Sequence, residues 1–228
     1  MSLQWCAVAP GIFSKLFGGT SRKDVDPDVV PGEKVVRRST GFNEFIKAIS
    51  REQGLKILDL GSTSAANITF MTGLGHGFYQ GDLLRQANDK SLVIPNGDKD
   101  SKETTIDVER FMRENLNFPR ENFDAVMFWD LADFLPEPLV KPVIERVHYV
   151  MKPAGTLLAF FHTKDAGPDA PFYRYNIAAK DTLELQPIRG YRLQRVYQNR
   201  QVENLFRDYS SIKFFLGRDN IREMLVLR

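Results

Sequence analysis

The sequence predicts an α/β fold built on a doubly wound, mixed sheet of the Rossmann-like kind. Short apolar runs alternate with segments of helical periodicity through most of the chain, which is the pattern of parallel strands joined by helices. A glycine or an acidic residue follows two of the first runs, where the strands of such a sheet end in turns. The last two apolar runs flank a single turn, as expected for an antiparallel pair at the end of a mostly parallel sheet.

Length and composition favour one large hydrophobic core. The chain has 228 residues, of which 43% are hydrophobic and 26% are charged. This balance excludes disorder for most of the chain. The longest apolar runs, such as residues 157–161, are far shorter than the roughly 20 residues of a membrane-spanning helix. The sequence therefore predicts no transmembrane segment.

The cysteine and histidine content argues against a structural metal site. Cys6 is the single cysteine, and the three histidines are far from it and from one another in the sequence, so no zinc-ligand spacing is present. The N-terminus lacks the basic leader and the apolar stretch of a signal peptide. Together these features predict a location in the reducing cytoplasm.

The first 40 residues differ from the rest of the chain. Glycine, proline and alternating charges dominate residues 1–40, and within them residues 12–17 have an amphipathic helical pattern. We predict a partly flexible N-terminal arm over residues 1–40 and an α/β domain over residues 41–228. The domain is expected to begin with a helix at residues 41–50, which places these apolar side chains on one face: Phe42, Phe45, Ile46 and Ile49.

A strand–helix–strand unit follows this helix. Residues 56–61 form a short apolar run that ends in an acid and a glycine, as expected for a buried strand and its turn. A helix is predicted around residues 67–71, and glycines then precede a second strand at residues 78–82. The two strands of such a unit are parallel and their crossover is right-handed.

The remainder of the chain continues the alternation and then changes character. Residues 91–105 are polar and predict an irregular loop around one short strand. The following elements are predicted in order: a helix at 107–116, a strand at 123–129, a helix at 138–151, a turn at 152–155 and a strand at 156–161. Residues 172–195 alternate apolar and polar positions and predict a hairpin insertion. A helix at 200–209 and strands at 212–216 and 224–227 end the chain.

The ends of the first two strands carry a candidate ligand site, because ligands of open parallel sheets bind outside the carboxyl ends of the strands. Residues 61–66 are a loop of small residues that enters a helix, where backbone N–H groups can receive negative charge. Asp82 follows Gly61 by 21 residues, at a position where a carboxylate can accept hydrogen bonds from both hydroxyls of a ribose. A tight turn that needs small residues for packing, and a helix cap at Asp82, are the structural alternatives.

Three segments resemble motifs of the class I S-adenosylmethionine-dependent methyltransferases of the type 11 kind, over about residues 54–163. The run Leu-Asp-Leu-Gly-Ser-Thr-Ser-Ala at 58–65 resembles the first motif, Leu-Asp-Leu-Gly-x-Gly-x-Gly. Phe-Asp-Ala-Val at 123–126 is similar to the fourth-strand segment, and Met-Lys-Pro-Ala-Gly at 151–155 is similar to the Leu-Lys-Pro-Gly-Gly turn. The resemblance implies a sheet of seven strands, with the last inserted antiparallel between the fifth and sixth.

The resemblance also implies S-adenosylmethionine as the cofactor and assigns residues to it. The residues implied to bind this cofactor are Asp59, Gly61, Ser62 and Thr63 near its methionine end, Asp82 and Leu83 at the ribose, Asp107 at the adenine amino group, and Trp129 beside the reactive methyl. Thr63 and Ala65 depart from the motif, because each adds a Cβ where the family has glycine. The Thr63 side chain either obstructs the cofactor or donates a hydrogen bond to it.

Asp130 and His162 are the candidate catalytic residues. Asp130 follows the strand at residues 123–129, where the family closes the pocket beside the methyl group, and it could instead cap a helix. His162 follows the strand at residues 156–161, and an imidazole titrates near neutral pH and can act as a general base. A structural histidine is the alternative at that position.

The predicted function is methyl transfer to a small-molecule acceptor. The alternative is a methyltransferase-like binding or interaction module without turnover, for which the altered glycine loop is the evidence. Modification of nucleic acid is disfavoured, because the net charge is +2 and the Asn/Asp-Pro-Pro-Tyr/Phe motif is absent from the sequence.

Overall fold

The computed structural model describes residues 34–95, 103–217 and 219–228. Within these ranges the strands are β1 (Val35–Arg38), β2 (Lys56–Asp59), β3 (Gly77–Gln80), β4 (Val93–Pro95), β5 (Thr104–Ile106), β6 (Phe123–Trp129), β7 (Met151–His162), β8 (Phe172–Ala179), β9 (Thr182–Ile188), β10 (Ser211–Phe215) and β11 (Ile221–Leu227). The helices are α1 (Thr40–Ile49), α2 (Ala65–Gly73), α3 (Leu83–Ala87), α4 (Val108–Asn115), α5 (Leu131–Phe134), α6 (Glu137–Val150) and α7 (Asn199–Leu205).

The central sheet has the strand order β10-β11-β7-β6-β2-β3. The pairs β3–β2, β2–β6 and β6–β7 are parallel, whereas β11 is antiparallel to both β7 and β10. This order confirms the predicted Rossmann-like α/β class, including the antiparallel last strand between its two neighbours.

The strand count differs from the predicted seven, since the central sheet contains six strands among the described residues. Strands β4 and β5 pair with each other as a separate antiparallel ribbon in which Val93 faces Ile106. Each has three residues, and all three of β4 are exposed. Strands of three residues are at the short end of strand lengths, and these two pair with each other and not with the central sheet.

A second sheet of three strands, in the order β1-β9-β8, lies beside the central one. The hairpin β8–β9 occupies residues 172–188, within the segment where the sequence predicts a hairpin. Strand β1 pairs antiparallel with β9, with Val35 opposite Leu185. Residues 35–38 of the predicted N-terminal arm therefore belong to this sheet, and residues 1–33 of that arm lie outside the described residues.

Two groups of buried apolar side chains lie on the two faces of the central sheet. One group contains side chains of α3, α4, α5, α6 and α7. The other contains side chains of α1, α2 and the three-stranded sheet. Helix α1 shows how the local sequence sets this arrangement: the Ser39 hydroxyl caps it by accepting a hydrogen bond from Phe42 N, at 3.0 Å, and four apolar side chains on one face are buried.

The turn predicted at residues 152–155 is wrong, because β7 runs without a break from Met151. Ala154 has a φ of 60°, and the pairing with β6 shifts register between Phe123 and Ala125. A Cβ on Gly155 would stand 2.8 Å from the carbonyl oxygen of Lys152. The Lys-Pro-Ala-Gly segment therefore forms an irregularity inside a long strand, and the glycine there is required by close backbone approach.

None of the helices in the described ranges is both long enough and apolar enough to span a membrane.

Candidate functional site

The loop after β2 is organised by the buried carboxyl group of Asp59. Its Oδ1 accepts a hydrogen bond from the backbone N–H of Gly61 at 3.1 Å and another from the indole Nε1 of Trp129 at 2.7 Å. The Oδ2 atom is buried and has no hydrogen-bond partner among the described residues. Burial raises the pKa of Asp59 to about 6, although the indole hydrogen bond opposes the shift.

Trp129 lies against this loop at the carboxyl end of β6. Its φ of 52° places the backbone in the left-handed region, which a bulky residue adopts only when its surroundings hold it there. The indole stacks on Tyr175 with a centroid separation of 4.9 Å and an angle of 1°. The indole also contacts Gly61, where an added Cβ would overlap Trp129 Cδ1 and stand 3.1 Å from Nε1. Gly61 is therefore required by the approach of the indole.

A polar cavity of about 390 Å³ lies in front of the same loop. Residues 61–65 form one wall, and Gln80, Asp82 and Arg174 form others. Its volume lies within the usual range for sites of small molecules and cofactors. The carboxyl ends of β2 and β3 are neighbours in the sheet, which explains why residues far apart in sequence meet here.

Two side chains give the cavity its chemical character. The guanidinium of Arg174 donates hydrogen bonds to the Ser62 hydroxyl from Nη2 and Nε, at 3.2 and 3.3 Å, and so brings a positive charge to the loop. Gln80 Oε1 is buried and has no hydrogen-bond partner among the described residues. An acceptor of this kind fits a ligand that donates a hydrogen bond, because a buried acceptor without a donor carries an uncompensated desolvation cost.

Asp82 is placed both to cap a helix and to face the cavity. Its Oδ1 accepts a hydrogen bond from Arg85 N at 3.1 Å and so caps α3. The same residue lines the cavity. The helix cap is therefore observed, and binding of a ribose by Asp82 stays a prediction.

The structure brings four of the eight predicted cofactor residues to this cavity. Gly61, Ser62, Thr63 and Asp82 line it, and Asp59 supports the loop from beneath. Leu83 is a core residue. Asp107 lies outside this cavity, at the N-cap of α4, where its Oδ1 accepts a hydrogen bond from Arg110 N at 2.9 Å.

Sequence reasoning missed Gln80, Arg174 and Tyr175. Gln80 could have been found, because it precedes Gly81 and Asp82 at the end of a predicted strand. Arg174 and Tyr175 lie in β8, and their contacts with Ser62 and Asp130 join residues 112 and 45 positions apart. No local pattern indicates contacts at that separation.

Asp130 is fully buried and belongs to a different environment from the polar cavity. Its Oδ2 accepts a hydrogen bond from the Tyr175 hydroxyl at 3.0 Å, and its side chain makes no capping hydrogen bond to α5. Burial raises the pKa of Asp130 to about 7, against the opposing charge of His162. The carboxyl is thus held by the Tyr175 hydroxyl, and the alternative of a helix cap is excluded.

His162 is also buried and is held by Asp133. Asp133 Oδ2 accepts a hydrogen bond from the His162 backbone N–H at 2.6 Å and lies 3.0 Å from the ring Nδ1. Burial lowers the pKa of His162, but the hydrogen bond to Asp133 and the charges of Asp130 and Asp133 outweigh that effect and raise it. Neither Asp130 nor His162 lines the cavity beside Gly61.

No family model matches the sequence, and no curated protein matches it. Solved structures with a similar course of the chain do exist. One is the 1,6-didemethyltoxoflavin-N1-methyltransferase of Burkholderia thailandensis, solved with 1,6-didemethyltoxoflavin and S-adenosylhomocysteine: the TM-score is 0.47 at 12% identity, over 83% of this chain and 77% of that one.

Two further structures match over similar lengths. An S-adenosylmethionine-dependent methyltransferase of Mesorhizobium loti has a TM-score of 0.40 at 12% identity, over 81% of this chain and 96% of that one. A proposed type 11 methyltransferase of Sulfolobus solfataricus has a TM-score of 0.45 at 14% identity, over 81% of this chain and 90% of that one. The fold assignment for this chain rests on its strand order.

Proposed function

We propose that the protein binds S-adenosylmethionine and transfers its methyl group to a small-molecule acceptor. The observation that carries the proposal is that residues 61–65 and Asp82 line the same polar cavity. This cavity lies at the neighbouring carboxyl ends of β2 and β3. The resemblance of residues 58–65 to the first methyltransferase motif also implies that this loop binds the cofactor. Buried Gln80 Oε1 is an acceptor that a ribose hydroxyl would satisfy.

Each wall of the cavity suits one part of this cofactor. Asp82 and Gln80 would accept hydrogen bonds from the ribose diol. Arg174, fixed by Ser62, would bind the carboxylate of the methionine end. Trp129 and Tyr175 form an aromatic wall behind Gly61, which excludes water from that side.

When bound, the cofactor supplies an electrophilic methyl group on a sulfonium. The residues of this chain contribute position, because methyl transfer depends mainly on the alignment of the acceptor with the methyl–sulfur bond. Proton removal by Asp130 or His162 stays a prediction, as does the role of Asp107 at the adenine.

A thermal-shift comparison tests the proposal. S-adenosylmethionine, S-adenosylhomocysteine and NAD are each added to purified protein, with a sample without ligand as the reference. A ligand at 100 times its Kd adds about 2.7 kcal/mol to the free energy of unfolding, so the first two should raise the melting temperature and NAD should not. Stabilisation by NAD alone would overturn the proposal.

Three more specific predictions from the sequence are part of the same proposal: the kind of acceptor, the cellular location and the division of the chain. We propose a small molecule as the acceptor and not nucleic acid, because a net charge of +2 gives little attraction for a phosphate backbone. The cytoplasmic location also stands as a proposal. So does the division into an N-terminal arm and an α/β domain, with the domain extended to include β1. Filter binding of the protein to RNA and duplex DNA at low salt tests the first of them, and tight salt-dependent binding would contradict it.

A further inference from the structure

A second cavity, of about 410 Å³, lies on the other side of β8 from the polar one. Tyr173 lines it, whereas the next residue of the strand, Arg174, lines the cavity beside Gly61. Successive side chains of a strand point to opposite faces, so β8 separates the two cavities. The second cavity is therefore distinct from the proposed cofactor site.

Apolar side chains form most of the walls of this second cavity. Val36 and Leu185 come from paired strands β1 and β9, Pro171 and Tyr173 come from the start of the hairpin, and Ile221 comes from β11. Val36 is 68% exposed, which places apolar surface at the rim. A concave, mostly apolar site of this size with few polar groups is typical of small-molecule sites.

His162 is the polar group that defines the chemistry of this cavity. It lines the cavity, and its Nδ1 lies 3.0 Å from the buried carboxyl of Asp133. At a pH above the raised pKa of His162 the ring is neutral, and Nδ1 then carries its hydrogen and donates it to Asp133. In that state Nε2 is an acceptor. Phe134 packs edge-on against the ring, with centroids 5.5 Å apart, which fixes the orientation of the imidazole.

The remaining charged groups at this cavity are already engaged with each other. Arg37 Nε donates to Asp219 Oδ2 at 2.5 Å, and the same guanidinium pairs with buried Glu223. An ion pair satisfied in this way has little charge left for a ligand. Recognition therefore falls to the apolar walls and to the uncharged polar groups of the lining, which include the His162 ring and Asn220.

We propose that this cavity binds a small, ring-sized apolar molecule that carries a weakly acidic O–H or N–H, and that His162 Nε2 accepts a hydrogen bond from that group. Asp133 acts as the positioning residue, because it fixes the tautomer and the orientation of the ring. The proposal goes beyond methyl transfer and holds whether or not the other cavity binds a nucleoside. That this ligand is also the methyl acceptor is an extension that rests on the proposed function.

The test is run at pH 8 with 4-chlorophenol, whose O–H group stays mostly protonated at that pH, and with 4-chloroanisole as the matched probe that lacks the O–H group. NMR spectra of the imidazole C–H groups follow binding, since the protein has three histidines and the His162→Gln variant assigns one signal. We expect 4-chlorophenol to shift the His162 signal saturably and to leave the other two histidine signals in place. We expect 4-chloroanisole to bind about 5-fold more weakly, the loss of one hydrogen bond.

Val36→Glu and Val93→Glu separate this cavity from other apolar surfaces. Both valines are exposed, at 68% and 50%, but Val36 lines the cavity and Val93 lies in β4. Val36→Glu should weaken binding of both probes by at least about 5-fold, whereas Val93→Glu should not change it. The proposal is overturned if 4-chlorophenol causes no saturable shift of His162, if both probes bind equally, or if Val36→Glu has no effect. These measurements contain no cofactor, so their failure is distinguishable from failure of the proposed function.

Discussion

Trp129 and Gly61 are in such close contact that no side chain fits at position 61. The Trp129 indole lies on the Gly61 backbone while its Nε1 donates to Asp59 at 2.7 Å. Residues 58–61, which resemble the first methyltransferase motif, thus have a structural role that the resemblance did not indicate. Its aspartate and glycine hold the Trp129 indole in place, and Gly61 lines the cavity together with residues 62–65.

Gly61→Ala tests this contact. We expect the added methyl to displace the indole and to lower the free energy of unfolding by about 1–3 kcal/mol, the usual cost of overpacking. Gly73→Ala is the matched control, because an added Cβ there meets no atom within 4 Å; it should change stability by less than about 1 kcal/mol. Urea unfolding of the three proteins measures the difference. Equal stability of Gly61→Ala and the parent protein would show that the indole is not held against the loop.

The cap of α3 depends on Asp82. Asp82→Ala removes the acceptor for Arg85 N and should cost about 1 kcal/mol of stability. Asp82→Asn keeps a side-chain oxygen at the cap, so we expect its melting temperature to stay near that of the parent. Calorimetry of both variants decides the point, and equal melting temperatures for all three proteins would mean that the cap contributes nothing.

Arg174 should distinguish ligands that carry a carboxylate from those that do not. Arg174→Gln is expected to weaken binding of S-adenosylhomocysteine about 10-fold, the loss of one charge-assisted hydrogen bond. Binding of 5′-methylthioadenosine, which has no carboxylate, should be unchanged. Titration calorimetry with both ligands measures the ratio. A similar loss for both would place Arg174 at the nucleoside or in a purely structural role.

Asp130 makes the stability depend on pH. Its pKa is raised from the ordinary 3.8 to about 7, so between these values the folded protein holds a proton that the unfolded chain releases. Its stabilising contribution is therefore present in full below about pH 4 and is lost as the pH rises through about 7. The raised pKa of His162, to which the charge of Asp130 contributes, acts in the same direction.

Asp130→Asn should remove part of this dependence while the amide oxygen still accepts from Tyr175. We expect the fall in free energy of unfolding between pH 5 and pH 8 to be smaller in the variant by about 2 kcal/mol. Chemical denaturation at the two pH values measures it. A fall as large in the variant as in the parent would show that Asp130 does not titrate in this range.

Local sequence patterns predicted the strand–helix–strand unit well. The apolar run at residues 56–60, the glycine turn and the helical spacing after it all depend on near neighbours, and β2, α2 and β3 follow that order. The sequence predicted one short strand within residues 91–105 but not the paired ribbon β4–β5, because two strands of three residues each are too short to show a periodicity. The long β7 was missed in part, since its irregularity at Ala154 has the sequence of a turn.

The part of the candidate site that follows strand ends could be predicted from the sequence. The loop at 61–65 and Asp82 follow strand ends, and the topology of a parallel sheet brings such positions together. The partners of the buried acids were not predictable: Asp130 meets Tyr175 and His162 meets Asp133 only because β8 and α5 pack over the sheet. The packing of these elements buries Asp130 and Asp133, and burial raises the pKa of each.

Titration calorimetry of S-adenosylhomocysteine into the parent protein and into Asp82→Asn tests the central claim most directly. Asp82→Asn is chosen because it keeps the cap of α3 and changes the group that faces the cavity. We predict one binding site per chain in the parent protein and affinity lower by about 10-fold or more in the variant, the cost of a hydrogen bond to a charged group. Absence of binding to the parent protein, or equal affinity for the two proteins, would contradict the assignment of this cavity to the cofactor.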